Sequence, residues 1–164
     1  MLIAVLSDSH DRTDHLEQAL ILIKERGISR GLHLGDYVAP FVINQLAESE
    51  IRWQGVWGNN DGDKLAGLRM AAGKVDISEG DFLELEIEGR KLFLTHYPQI
   101  GRIAALSGQY DAVFYGHTHI AKQEHVEVTL LANPGEIYGM RTGKVSFGIY
   151  NTERNSFEEV VIAS

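Results

Sequence analysis

The chain has no cysteine in its 164 residues, and its 15 Lys and Arg are outnumbered by 23 Asp and Glu. It also lacks any apolar run near the ~20 residues that a membrane helix requires. Each shortage excludes something. Without thiols there are neither disulfides nor thiolate metal sites, so any metal must sit on nitrogen and oxygen ligands, and zinc-finger and zinc-deaminase readings fall. A formal net charge of -8 disfavours nucleic acid, whose affinity comes mainly from Lys and Arg neutralising phosphates, so no stable nucleic-acid complex is expected. With no spanning segment, and with Met1 to Leu6 too short for a signal peptide's apolar core, the chain reads as soluble and cytoplasmic, with no membrane partner. There is no internal repeat, low-complexity tract or linker. The 44% of apolar residues suffices for one continuous core, which makes residues 1–164 a single domain.

The first third alternates strand and helix. Leu2 to Leu6 is an apolar strand, and Leu16, Ala19, Leu20 and Ile23 then recur at helical spacing. Asp14 followed by Glu17 suits that helix's start and Gly27 its stop. A second strand, Gly31 to Leu34, leads to a helix from about Phe41 to Ser49, and a third strand runs from Ile51 to Trp57. Such alternation implies a parallel sheet with right-handed crossovers, and ligands collect beyond the carboxyl ends of such strands. Further on, Leu83, Leu85 and Ile87 alternate with Glu84, Glu86 and Glu88, and Gly89 turns the chain into Lys91 to Thr95, a half-exposed hairpin. A short helix around Ile103 to Leu106 follows, then strands at Ala112 to Tyr115, His125 to Ala132, Val145 to Tyr150 and Phe157 to Ile162. The fold class expected is α/β, with two packed mixed β-sheets flanked by helices.

Against this frame, seven residues of types that bind metals recur in order: Asp8, His10, Asp36, Asn59, His96, His117 and His119. Asp8, Asp36 and Asn59 each follow an apolar strand. Residues two apart in a strand share a face, so the spacing of Asp8 with His10 and of His117 with His119 fits pairwise ligation. Asp36, alone behind Gly35, is the best candidate to bridge two cations with its two oxygens. Glycines 35, 58 and 116 would let the backbone approach the ions without a side chain in the way. His33, in the apolar run Leu32-His33-Leu34, reads as a core or supporting residue rather than a ligand, His15 and His125 as solvated, and Asp61 as a loop cap. Arg12, Arg102 and Arg141 read as surface charges, with orientation of a phosphate as the alternative. Phe41, Val42, Ile43 and Leu46 read as a helix's core face, with a dimer contact as the alternative.

The pattern Asp-x-His, Gly-Asp, Gly-Asn-x-Asp, His, Gly-His-x-His, over nearly the full chain, resembles the calcineurin-like metallophosphoesterase superfamily. The small size and the Gly58-Asn59-Asn60-Asp61 and Asn133-Pro134-Gly135 segments look most like its compact YfcE-type phosphodiesterases. That resemblance implies a four-layer αββα sandwich and two divalent ions, manganese first, with nickel, iron, cobalt or zinc as alternatives. It implies that Asp8, His10, Asp36 and His119 hold one ion and Asp36, Asn59, His96 and His117 the other. A small or nucleotide-like phosphodiester is the substrate expected. Attack by a hydroxide bridging the two ions is the mechanism implied, and two such ions leave an acidic protein with a positive pocket. Where many members of the superfamily carry a His after the motif's Asn, this chain has Asn60. An amide donates a hydrogen bond but is no general acid near neutral pH, so Asp36 and Asn60 are the candidate catalytic residues and good leaving groups are expected. Tyr97 after His96, where Gly is more usual, is expected to narrow the entrance. The alternatives are a phosphomonoesterase or nuclease of the same superfamily, or a non-catalytic scaffold like the retromer subunit of this fold. A homodimer is compatible with the resemblance.

Overall fold

Successive side chains of a strand point to opposite faces, and β1 (Leu2–Leu6) uses both. Ile3 and Val5 enter one apolar cluster, Ala4 and Leu6 another. In the computed structural model, which describes residues 1–163, the same alternation builds four layers.

The first sheet contains β1, β2 (Arg30–His33), β3 (Arg52–Gly55), β4 (Val75–Ile77), β10 (Val145–Asn151) and β11 (Ser156–Ala163), in the order β11-β10-β1-β2-β3-β4. Strands β1 to β4 run parallel, and β10 and β11 are antiparallel additions. The second sheet orders β5 (Phe82–Ile87), β6 (Arg90–Thr95), β7 (Ala112–Tyr115), β9 (Thr129–Asn133) and β8 (Lys122–Val126) as β5-β6-β7-β9-β8, with β6, β7 and β9 parallel. Between the sheets lie Ile3, Val5, Leu32, Leu34, Leu92, Leu94 and Phe114. The outer face of the first sheet buries Ala4, Leu6 and Trp53 together with apolar residues of α1 (Thr13–Glu25) and α2 (Pro40–Glu48). The second sheet packs Phe93, Val113 and Leu131 with Ala104 and Ala105 of α4 (Pro98–Leu106). The expected two mixed sheets between helices are therefore present, and no helix among the described residues is long and apolar enough to cross a membrane.

Local differences from the sequence reading have identifiable causes. Helix α1 ends with Gly27 at φ 67°, as its sequence suggested. Its start is not the expected acidic cap, because both oxygens of Asp14 are engaged by Arg12 at 2.8 and 2.9 Å. The run from His125 to Ala132 is two strands, β8 and β9, joined through Glu127 at φ 54°, a turn without the glycine that would announce it. Helix α3 (Lys64–Ala71) and β4 escaped the reading altogether. In α3 the large apolar residues Leu65, Leu68 and Met70 face outward while the small Gly67 and Ala71 are buried, so no apolar stripe marks it. Helix α4 starts earlier than expected, with Pro98 at its first position, where a missing N–H costs nothing.

Candidate metal centre

The parallel strands of both sheets end at one edge of the sandwich, and the loops beyond them carry all seven candidate ligands. Asp8 and His10 follow β1, Asp36 follows β2, Asn59 follows β3, His96 directly follows β6, and His117 and His119 follow β7. The pairs do not converge by strand alternation, as their spacing suggested. They sit past the strand ends with left-handed backbones, at φ 53° for Asp8, 40° for His10, 69° for His117 and 64° for His119, and Asp36 joins them at 58°. Hydrogen bonds between loops hold this conformation: the Asp8 and His10 N–H groups donate to the carbonyls of Gly35 and Asp36, each at 3.1 Å.

The glycines do what the sequence suggested at two places. A Cβ on Gly58 would lie 2.1 Å from Asp36 Oδ1, and one on Gly116 would lie 2.1 Å from Ser7 Oγ and 3.1 Å from Asp8 Oδ2. Asp61 is a cap for three backbone donors, taking the N–H groups of Asp36 (3.0 Å), Val38 (2.8 Å) and Gly58 (2.6 Å).

Two groups of donor atoms result. Asp8, His10 and His119 offer one set, and Asp8, Asp36 and His96 another, with the ligand atoms of each set within 4.8 Å of one another. His10 Nε2 stands 3.3 Å from Asp36 Oδ2 and 3.9 Å from Asp8 Oδ1, and His119 Nε2 stands 3.5 Å from Asp8 Oδ1. Around the second set, Asn59 Oδ1 lies 3.0 Å from His96 Nε2 and 2.8 Å from His117 Nδ1, so all seven side chains come together. Asp36 does not divide its oxygens as expected. Oδ1 takes the Asn60 backbone N–H at 2.9 Å, and Oδ2 alone faces both His10 and His96. The side-chain amide of Asn60 also donates to Oδ2, at 2.7 Å, which commits it to Asp36.

The chemistry of these atoms fits divalent cations. Asp8 Oδ1 and His10 Nε2 are buried without a hydrogen-bond partner, an arrangement that leaves a desolvated acceptor uncompensated unless a cation meets it. Burial raises the Asp8 carboxyl, against the pull of His96 and a hydrogen bond from Ser7. For Asp36, burial pushes the same way, but the facing imidazoles of His10 and His96 and the Asn60 N–H outweigh it and hold its carboxyl well below the usual range. Burial lowers both imidazoles, but Asp36 and Asp8 together outweigh it and both are raised. Carboxylates that raise neighbouring imidazoles make a site that favours positive charge.

Other histidines separate cleanly. His33 is fully buried, stacks on Tyr37 with ring centroids 4.0 Å apart, and bonds Ser9 Oγ at 3.1 Å, so it supports the loops and is no ligand. His125 is exposed. His15 is not free in solvent as expected, since it is half-buried and bonds the Ile137 carbonyl at 2.9 Å. Arg12 is occupied by Asp14 and the Tyr138 carbonyl, and Arg102 by Glu124. Val42, Ile43 and Leu46 are core residues, while Phe41 is 48% exposed. Sequence reasoning missed Glu136, buried with Oε2 2.6 Å from His119 Nδ1, and Tyr138, whose ring lies 4.9 Å from that of His10. The only signal for them was proximity to the Asn133-Pro134-Gly135 turn.

Loops that gather histidines, carboxylates and an asparagine at the shared edge of a two-sheet sandwich define a phosphoesterase of the calcineurin-like kind. Residues 1–155 match the calcineurin-like phosphoesterase superfamily domain, and the chain belongs to that superfamily. Over 168 aligned residues it is 34% identical to phosphodiesterase MJ0936 of Methanocaldococcus jannaschii, with 99% of each chain covered. A structurally characterised archaeal phosphodiesterase, 33% identical, superposes with a TM-score of 0.91 over 98% of this chain and 99% of that one. The E. coli phosphoesterase YfcE, 21% identical, superposes with a TM-score of 0.73 over 99% of this chain and all of its own, a likeness of fold.

Proposed function

We propose that the chain is a metal-dependent phosphodiesterase that hydrolyses a small or nucleotide-like phosphodiester at a dinuclear centre. The observation that carries this reading is the convergence of seven side chains with oxygen and nitrogen donors about two buried atoms, Asp8 Oδ1 and His10 Nε2, that lack a hydrogen-bond partner. Asp8, His10, Asp36 and His119 would hold one ion and Asp36, Asn59, His96 and His117 the other. Two divalent ions there supply Lewis acidity and a water activated near neutral pH. Asp36 presents one oxygen to both groups of ligands. Asn59 and His117 are exposed, so phosphate would enter on their side.

The diester preference follows from what the site has and lacks. Asn60 offers an amide where a general acid would protonate a poor leaving group, and that amide is held on Asp36. Half-buried tyrosines flank the centre: Tyr97 lies edge-on to His96, with centroids 5.4 Å apart, and Tyr138 lies against His10. Their rings provide surfaces against which an aryl group or a base packs. The identity of similar chains as phosphodiesterases supports the same assignment. Manganese is the first candidate ion from the family resemblance, and the nitrogen and oxygen donor set is equally compatible with nickel, iron, cobalt or zinc. A homodimer belongs to the proposal, because Phe41 of α2 and Leu65 and Leu68 of α3 are exposed on helices that pack together.

The test is hydrolysis of bis-p-nitrophenyl phosphate and p-nitrophenyl phosphate by metal-stripped protein, with Mn or Ni restored and the Asp36→Asn variant beside it. Metal-restored diester cleavage that the variant lacks is expected. Faster monoester cleavage would make the protein a phosphomonoesterase. Silence with every metal from folded protein would leave a binding scaffold.

A further inference from the structure

Among the described residues the fully buried carboxylates are Asp8, Asp36 and Glu136. The first two belong to the centre, and the third has no assigned role. Its two oxygens are divided. Oε1 takes three donors from the loop beyond it, the N–H groups of Arg141 (3.1 Å) and Thr142 (2.8 Å) and the Thr142 hydroxyl (2.8 Å). Oε2 faces His119 Nδ1 at 2.6 Å. An ionised carboxylate only accepts, so Nδ1 must carry the proton and Nε2 is left with its lone pair, 3.5 Å from Asp8 Oδ1.

We infer that Glu136 is a positioning residue for the first metal site: it fixes His119 in the tautomer whose Nε2 is free for a divalent cation, and it ties that imidazole to the exposed loop at 140–144. The inference rests on the metal reading of the centre. Three donors on Oε1 and the imidazole on Oε2 stabilise the ionised carboxylate, which only accepts. Imidazoles that ligate metals commonly donate their other N–H to a carboxylate, which orients the ring and strengthens the ligand. Here the carboxylate is supplied by the segment that leaves the Asn133-Pro134-Gly135 turn. The same segment is pinned to the first ligand loop, through Ile137 N–H to the Ser7 carbonyl (3.1 Å) and Tyr138 N–H to the Asp8 carbonyl (2.9 Å).

The division of oxygens makes Glu136→Gln an informative change. Three loop donors already claim the Oε1 position, so the glutamine oxygen stays there and its NH2 faces His119 Nδ1. Nδ1 must then accept, which moves the ring proton to Nε2, the atom that should bind the cation. The loop bonds survive while the ligand is inverted.

The experiment is nitrogen-15 NMR of the His119 ring in metal-stripped protein, with Mn titration by calorimetry, for the parent, Glu136→Gln and Thr142→Val. Expected are a ring protonated at Nδ1 in the parent and at Nε2 in Glu136→Gln, with one of two binding steps weakened roughly 10- to 100-fold. Thr142→Val, which removes a loop bond and leaves the His119 contact, should bind Mn like the parent. A parent ring protonated at Nε2 overturns the inference without any variant, as does a Glu136→Gln protein that binds both ions with parental affinity, or a Thr142→Val protein weakened as much as Glu136→Gln. A parent that binds no cation would overturn the metal reading instead, and the ring proton would still report whether Glu136 sets the tautomer.

Discussion

Replacing Asp61 by Asn isolates the element that joins the loops after β2 and β3. The carboxylate takes two N–H groups on Oδ2, from Asp36 and Gly58, and one on Oδ1, from Val38. An asparagine keeps only one acceptor oxygen. Its better orientation leaves that oxygen on the pair, and its NH2 then meets the Val38 N–H donor to donor. Hydrogen bonds to a charged group are worth ~1.5–3 kcal/mol and neutral ones ~0.5–1.5, so losing one bond and weakening two amounts to roughly 3 kcal/mol before any allowance for solvent. Asp61 is half-buried, which reduces the loss to about 2 kcal/mol. For a chain of this length ~1 kcal/mol moves the melting midpoint by ~2–4 °C, so a fall of roughly 4–8 °C is expected. Urea denaturation of metal-free protein measures the energy, and Mn titration measures the second effect, weaker binding as Asp36 and Asn59 lose their anchor. Asp61→Ala should cost more, because all three donors are orphaned. If both variants unfold within ~0.5 kcal/mol of the parent, the cap carries little stability and the reasoning fails.

Further expectations concern neighbouring parts of the site. Gly116→Ala puts a Cβ 2.1 Å from Ser7 Oγ and 3.2 Å from His96 Nδ1, so a loss of ~1–3 kcal/mol with weakened Mn binding is expected; parental affinity in calorimetry would contradict it. His33 is fully buried, and desolvation takes its pKa down to about 3. Its contribution to stability is therefore complete above the unfolded value near 6.5 and is lost as pH falls toward 3, by about 3 kcal/mol at pH 4. Comparing urea midpoints at pH 7 and 4 for the parent and His33→Gln tests this, and an equal drop in both would refute it. Asn60→His places an acid after the Gly58-Asn59 pair, and it should raise cleavage of alkyl-leaving diesters at least about tenfold over its effect on p-nitrophenyl diesters, a modest share of the ~10²–10⁴ typical of general acids. Equal effects on both substrates would show that leaving-group protonation does not limit the reaction.

What the sequence disclosed was set by side-chain period and by residue type. Where large apolar residues point inward, as in β1, β6, β7 and α1, the elements were legible. Where small residues are buried and large ones exposed, as in α3, periodicity is silent. The turn between β8 and β9 was hidden because Glu127 adopts a left-handed backbone that sequence assigns to Gly or Asn. The seven candidate ligands were legible as types in order, but their partners were not. Glu136 carries no marker of burial, and its contact with His119 joins the loops beyond β7 and β9, a neighbourhood created by parallel pairing of those strands.

The route by which the candidate ligands converge bears on how their loops are held. Had Asp8 with His10 and His117 with His119 met through strand alternation, their positions would have followed from ordinary sheet geometry. Instead five of the seven occupy left-handed conformations, each costing on the order of 1–3 kcal/mol for a residue with a Cβ. Such strain persists only where the surroundings over-determine it. The loop after β1 is held by carbonyls of the loop after β2 and by Ile137 and Tyr138 donating back to Ser7 and Asp8, and the loops after β6 and β7 are joined by the Gly116 N–H on the His96 carbonyl. Because these restraints are backbone bonds between loops, a ligand substitution such as Asp36→Asn removes a charge without releasing the arrangement. The donors thus stand together as a consequence of folding, and binding a cation need not organise them. Preorganisation of that kind converts the cost of ordering the site from a penalty on metal and substrate binding into part of the folding free energy.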